Sequence, residues 1–212
     1  MKRREFLKKS TLATSALSIS NVNLFGEMMA TRNTSEHKPG FIPKRKYGKT
    51  GVMLSVIGFG GIIVMDAEQE KANQVVAQAY ERGVNYFDVA PSYGNAEITL
   101  GPALEPYRKN VFLACKTTQR EYTAAKKEFE RSLERLKTGY FDLYQLHAIT
   151  EVEKDVDRAF AEDGVMKLLL EEKKQGRIRY LGFSAHSHEA AHEKDSLLYA
   201  YNCFLFHSFC TD

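Results

Sequence analysis

Short apolar runs, each ending in a polar or small residue, alternate along this chain with amphipathic stretches of helical period, and no Gly-x-Gly-x-x-Gly turn interrupts them. Together these observations predict an α/β barrel of parallel strands rather than a doubly wound sheet. Five runs fit: Val56 to Gly61, Val84 to Asp88, Val111 to Lys116, Phe141 to His147 and Ile178 to Ser184. Leu197 to Phe206 offers a sixth. A complete eight-stranded TIM barrel usually takes about 250 residues, whereas this chain has 212. The expectation is an incomplete (β/α)8 barrel with about six of its eight strands, truncated at the C-terminus.

Charge separates the leader from the rest. Residues 1–50 carry eleven Lys or Arg against Glu5, Glu27 and Glu36, a net of +8, so the remainder is at −5 within a total of +3. The basic character belongs to the leader, and nucleic-acid binding is not expected of the barrel. Residues 1–30 read as a targeting segment, with a positive head, Lys2 to Lys9, a moderately apolar middle and a small residue, Ala30, near the end. Arg3-Arg4-x-Phe6-Leu7-Lys8 resembles a twin-arginine signal, which implies the twin-arginine export machinery as a partner and a periplasmic destination. A disordered basic terminus on a cytoplasmic protein is the alternative. No run approaches the ~18 continuous apolar residues of a membrane span, so stable insertion is not expected. Residues 31–45, with Pro39, Gly40 and Pro43, read as a linker, and 46–212 as the barrel.

Each barrel element has a local reason. Tyr47 to Leu54 suits a small hairpin turning near Lys49 to Gly51. Glycines close the first strand, so that backbone can approach a ligand. Helical spacing at Ala72, Val75, Val76, Ala79 and Tyr80 predicts a helix over Glu68 to Arg82, ended by Gly83. Helices are also expected at Ala96 to Leu104 and at Thr123 to Leu136, the latter with Phe129, Leu133 and Leu136 on one stripe. Val156 to Gln175 holds one helix or two. Cys115, Cys203 and Cys210 form no CxxC pair, and Cys115 reads as a reduced, buried strand residue.

Four polar residues stand at or just beyond strand ends: Asp88, Tyr93, Lys116 and His147. Strand ends converge on one face of a barrel, so residues about 30 apart in sequence can meet around one pocket. Their chemistry is complementary. Tyr93 is a weak acid, and an ammonium at Lys116 beside it makes it a better proton donor. Asp88 would hold Lys116, and His147 could orient a carbonyl oxygen or share in proton delivery. Singly, each has a plainer reading: a solvated rim lysine, a packing tyrosine, a structural histidine. The ordered set is far more specific.

These residues, in the wordings Gly58-Phe-Gly-Gly61, Asn85-Tyr-Phe-Asp-Val-Ala-Pro-Ser-Tyr-Gly94, Phe112-Leu-Ala-Cys-Lys116, Phe141-Asp-Leu-Tyr-Gln-Leu-His147 and Ile178-Arg-Tyr-Leu-Gly-Phe-Ser184, resemble the aldo-keto reductases. The resemblance implies a TIM barrel that reduces aldehydes or ketones with NADP(H), less often NAD(H), without a Rossmann domain. It implies Tyr93 as general acid, Lys116 tuning it, Asp88 partnering the lysine and His147 placing a small-molecule carbonyl substrate. Gly60, Gly61, Asp88 and Ser184 would contact the cofactor. Two departures stand against full activity: Ala185 occupies the place of an asparagine that shares the carboxamide contact, and the segments that grip the cofactor's phosphates are missing. The alternatives are a truncated, catalytically inactive remnant and a module that completes its barrel with another chain. His186, His188 and His192 invite a metal reading, but no fourth ligand is evident and a solvated loop is expected, with no metal.

Overall fold

The computed structural model describes residues 40–48, 50–185 and 204–206, all within the unit from Pro39 to Asp212. The leader, the leader–linker boundary and the histidine segment after Ala185 lie outside the described residues.

Two short strands, β1 (Lys44–Lys46) and β2 (Met53–Ser55), pair antiparallel with Lys46 opposite Met53. They form the hairpin expected here, closed by a 2.7 Å hydrogen bond from the Tyr47 amide to the Val52 carbonyl. Asn85 ties this hairpin to the barrel: its side-chain oxygen accepts from the Ser55 amide at 2.7 Å and its amide group donates to the Met53 carbonyl at 2.9 Å.

The barrel wall comprises β3 (Phe59–Gly60), β4 (Tyr86–Asp88), β5 (Phe112–Thr117), β6 (Phe141–Ile149), β7 (Ile178–Ala185) and β8 (Phe204–Phe206). They lie side by side in chain order and every pair is parallel. Helices α1 (Gln69–Glu81), α2 (Ala96–Leu104), α3 (Tyr122–Arg135), α4 (Arg158–Phe160) and α5 (Val165–Lys174) fill the crossovers from β3 to β7. Strands in this order with helical crossovers are part of a (β/α)8 TIM barrel, six of whose strands are described.

The first strand is shorter than the run Val56 to Gly61 suggests. Only Phe59 and Gly60 pair with β4, while Val56 and Ile57 are exposed and Gly61 opens a 3-10 turn through Val64. The stretch around Val156 to Gln175 is broken into a π turn, Val152–Asp157, followed by α4 and α5.

Strand periodicity sorts side chains into two cores. Phe87, Leu113, Cys115, Tyr144, Leu146, Leu181 and Phe183 point outward and bury against Val76, Leu100, Phe129, Leu168 and Leu169 of the helices. Tyr86, Phe112, Ala114 and Leu143 point into the barrel, where Leu54 of the hairpin packs on them. The ring of Phe129 lies edge-on to both Phe141 and Tyr144, at centroid distances of 5.6 and 5.0 Å. Truncating such a fully buried aromatic costs about 3–5 kcal/mol.

Gly83 ends α1 as expected, at φ +94°. Its amide donates to the Tyr80 carbonyl at 2.9 Å and the Val84 amide to the Ala79 carbonyl at 3.0 Å, a Schellman closure that feeds the chain straight into β4. A Cβ here would come within 2.6 Å of the Phe41 ring.

Candidate active site

All four strand-end candidates gather on one end of the sheet. Asp88 is the last residue of β4, and Lys116, next to last on β5, reaches across to it, the ammonium donating to Asp88 Oδ1 and, at 3.3 Å, to the Val89 carbonyl. The lysine side chain is 5% exposed and the aspartate 22%. A buried ammonium persists only with such partners, and Asp88 supplies the opposite charge.

Above this pair the Tyr93 ring lies with its centroid 5.2 Å from Lys116 Nζ. The loop that places it turns tightly, the Tyr93 amide donating to the Ala90 carbonyl at 3.0 Å. On the far side the His147 ring stands nearly perpendicular to Tyr93, 86° between planes and 6.1 Å between centroids. Nδ1 of His147 is 2.8 Å from Ser184 Oγ on β7. Asp88, Lys116, Tyr93, His147 and Ser184 therefore form one continuous chain of contacts across four strands.

Gly60 lies in register with Asp88 at the end of β3. A Cβ built on it would meet only Ile62 Cγ2, at 4.0 Å, so its face is open to a flat ligand. Gly61 is different. A Cβ there would fall 2.8 Å from Val89 Cγ2 and 3.0 Å from the Asp88 carbonyl, so its bareness lets the first strand end close against the residue next to Asp88.

Two participants escaped the sequence reading. Tyr86 lies two residues before Asp88 on the same face of β4, and its hydroxyl is 3.2 Å from Asp88 Oδ2. Burial first, and then the Asp88 charge, push the Tyr86 phenol far up, so it stays a hydrogen-bond donor to the carboxylate. The period of two from Asp88 was the signal that could have found it. Arg120, in the loop after β5, donates from Nη2 to the His147 carbonyl at 2.7 Å. No periodicity marks it.

Among the described residues no group of three or more His, Cys, Asp or Glu is placed to hold a metal, and no helix is long and apolar enough to cross a membrane. Cys115 is free and buried, as expected.

The profile of the Aldo/keto reductase family matches residues 56–197. The chain belongs to the aldo/keto reductase family. Over 156 residues it is 33% identical to the oxidoreductase YqkF of Bacillus subtilis (strain 168), covering 67% of this chain and 48% of that protein. It is 29% identical over 158 residues to L-galactose dehydrogenase of Arabidopsis thaliana, covering 68% and 48%. The fold superposes on aldo-keto reductase AKR11C1 from Bacillus halodurans (holo form) with a TM-score of 0.67 at 27% identity, over 79% of this chain and 58% of that one. The chain spans about half the length of the curated relatives it matches. The matched segment of this aldo/keto reductase contains all seven expected site residues, from Gly60 to Ser184.

Proposed function

We propose that this aldo/keto reductase chain reduces small aldehydes or ketones with NADP(H), Tyr93 donating the proton. The observation that carries the reading is the relay of Asp88 to Lys116 to Tyr93, with His147 edge-on beside the phenol. NADPH, when bound, would supply the hydride to the carbonyl carbon and be oxidised to NADP⁺, and the carbonyl oxygen would need one proton to become the alcohol's hydroxyl. Tyr93 gives that proton, and the Lys116 ammonium below it stabilises the phenolate left behind. Asp88 holds the ammonium in place, and Tyr86 occupies the other carboxylate oxygen so that it does not swing. His147 would hold the carbonyl oxygen near the Tyr93 hydroxyl, its ring steadied by Ser184.

For the cofactor, the open face of Gly60 and the Ser184 hydroxyl fit the reactive, nicotinamide end. NADP(H) over NAD(H) rests on the family resemblance. A fluorescence titration of the purified chain with NADPH and NADH tests the reading, with micromolar binding of NADPH expected and stronger than that of NADH. No binding of either nucleotide would favour the inactive-remnant reading.

The twin-arginine-like leader supports export of the folded chain to the periplasm, where it would arrive with its cofactor already loaded. Cell fractionation that finds the chain wholly cytoplasmic with its leader intact would contradict this.

A further inference from the structure

The end of β6 is bent in a way that its sequence does not require. Ala148, directly after His147, sits at φ +56°, a left-handed conformation that costs a residue with a Cβ about 1–2 kcal/mol. The pairing with β7 shifts register at the same place, between Leu146 and Ile149. Such local strain persists only where surrounding contacts over-determine it.

Those contacts converge on the two sides of this one peptide. On the His147 side, the carbonyl accepts from Arg120 Nη2 at 2.7 Å. On the Ala148 side, the amide donates to Ser184 Oγ at 3.1 Å, the same oxygen that lies 2.8 Å from His147 Nδ1. Arg120 is itself held: Nε donates to Asp155 Oδ1 at 3.0 Å and Nη1 to the Thr117 carbonyl at 3.4 Å. Both side chains are mostly buried, 10% and 16% exposed. Asp155 in turn anchors the following loop, its Oδ2 accepting from the amides of Thr150 at 2.7 Å and Glu151 at 3.0 Å and from the Thr150 hydroxyl at 3.1 Å. The loops after β5 and β6 are thereby locked together at the carbonyl of His147.

We propose that Arg120, braced by Asp155, is a positioning residue that holds the strained His147–Ala148 peptide and so aims the His147 ring at Tyr93. Its role in turnover rests on the carbonyl-reductase reading above; its role in placing the ring does not. A guanidinium suits the task because its planar fork engages a carboxylate and two carbonyls at once, which an ammonium cannot match in geometry. Without it, relief of the Ala148 strain turns the ring away from Ser184 and Tyr93.

The test uses the full chain labelled with [15N]histidine, the His147 ring signals being assigned by their loss in His147→Gln. Arg120→Ala should displace the His147 ring 15N signals, and Arg158→Ala, which removes an arginine paired with Glu121 and Asp163 on the neighbouring surface, should not. Glycine adopts the left-handed conformation without strain, so Ala148→Gly in the Arg120→Ala background should return the signals toward their original positions. Where the chain turns over a carbonyl, Arg120→Ala should lower kcat by about 10²-fold, the scale of an angstrom-level misplacement, and Ala148→Gly should recover most of it. Unmoved His147 signals in Arg120→Ala, or displaced signals that Ala148→Gly leaves displaced, would overturn the proposal. If Arg120→Ala does not fold, Asp155→Asn is read by the same signals. A chain with no turnover at all refutes the reductase reading, while the ring signals still decide the role of Arg120.

Discussion

Ser184 Oγ lies 2.8 Å from Nδ1 of His147, across the seam between β6 and β7, and accepts from the Ala148 amide at 3.1 Å. One hydroxyl thus serves the ring and the backbone beside it. The Ser184 side of the site is buried, 5% exposed, so water does not replace the lost oxygen freely. Ser184→Ala should cost about 1–3 kcal/mol by leaving the Ala148 amide unpaired and should lower turnover more than it weakens substrate binding. Urea unfolding and steady-state kinetics on the same preparation check both.

Lys116 and Asp88 should behave as a unit. Lys116→Met removes the cation and leaves a partly desolvated carboxylate, a loss of up to about 3 kcal/mol given that Asp88 keeps some contact with water. Adding Asp88→Asn should regain most of that stability, because the stranded charge is gone, yet no activity should return. A double-mutant cycle read by denaturant midpoints and by turnover separates the two roles. Equal destabilisation in single and double variants would contradict the pairing.

Tyr86 makes a prediction about alkaline pH. Its phenol is pushed up by burial and by Asp88, so the folded chain holds this proton more tightly than the unfolded chain does. Stability from that difference is complete below the unfolded value near pH 10 and is lost as pH climbs above it. Burial also raises Tyr47, Tyr144 and Cys115, so Tyr86→Phe should flatten part of the decline above about pH 10 rather than abolish it. Thermal melts between pH 8 and about 11 follow the slope. An unchanged slope would place the Tyr86 proton elsewhere.

The two glycines after Phe59 should part company. Gly61→Ala forces a Cβ to within 2.8 Å of Val89 Cγ2 and 3.0 Å of the Asp88 carbonyl, so β3 must move away from β4. A destabilisation of about 1–3 kcal/mol is expected, typical of overpacking. Gly60→Ala meets nothing closer than 4.0 Å and should leave stability within about 1 kcal/mol. If Gly60 faces the nicotinamide, its KM for NADPH should rise while the fold stays intact.

Most of the barrel was legible because its strands announce themselves chemically. Val111 to Lys116 and Phe141 to His147 are apolar runs bounded by polar residues, and β5 and β6 fall on them. Gly83 marked the end of α1 because a Schellman closure needs a positive φ there. Asp88 and Lys116 were visible as charges placed where strands stop. What sequence could not show depends on contacts between distant loops. Val56 and Ile57 are as apolar as paired strand residues, but the Val56 amide donates to the Pro43 carbonyl beside β1 and only Phe59 and Gly60 pair with β4, so β3 is short. The π turn at Val152–Asp157, whose own Asp155 pairs with Arg120, and the left-handed Ala148, whose amide donates to Ser184, involve contacts between residues far apart in sequence. Neither an alanine nor a loop arginine carries a local sequence signal for that.

If Tyr93 supplies the proton, its hydroxyl should matter to turnover and not to nucleotide binding. The most direct measurement compares wild-type chain with Tyr93→Phe in NADPH oxidation driven by an aromatic aldehyde, with nucleotide binding measured alongside. Removing a general acid costs about 10²- to 10⁴-fold. Tyr93→Phe should lower kcat by that factor with NADPH affinity unchanged. Full turnover in Tyr93→Phe would contradict it.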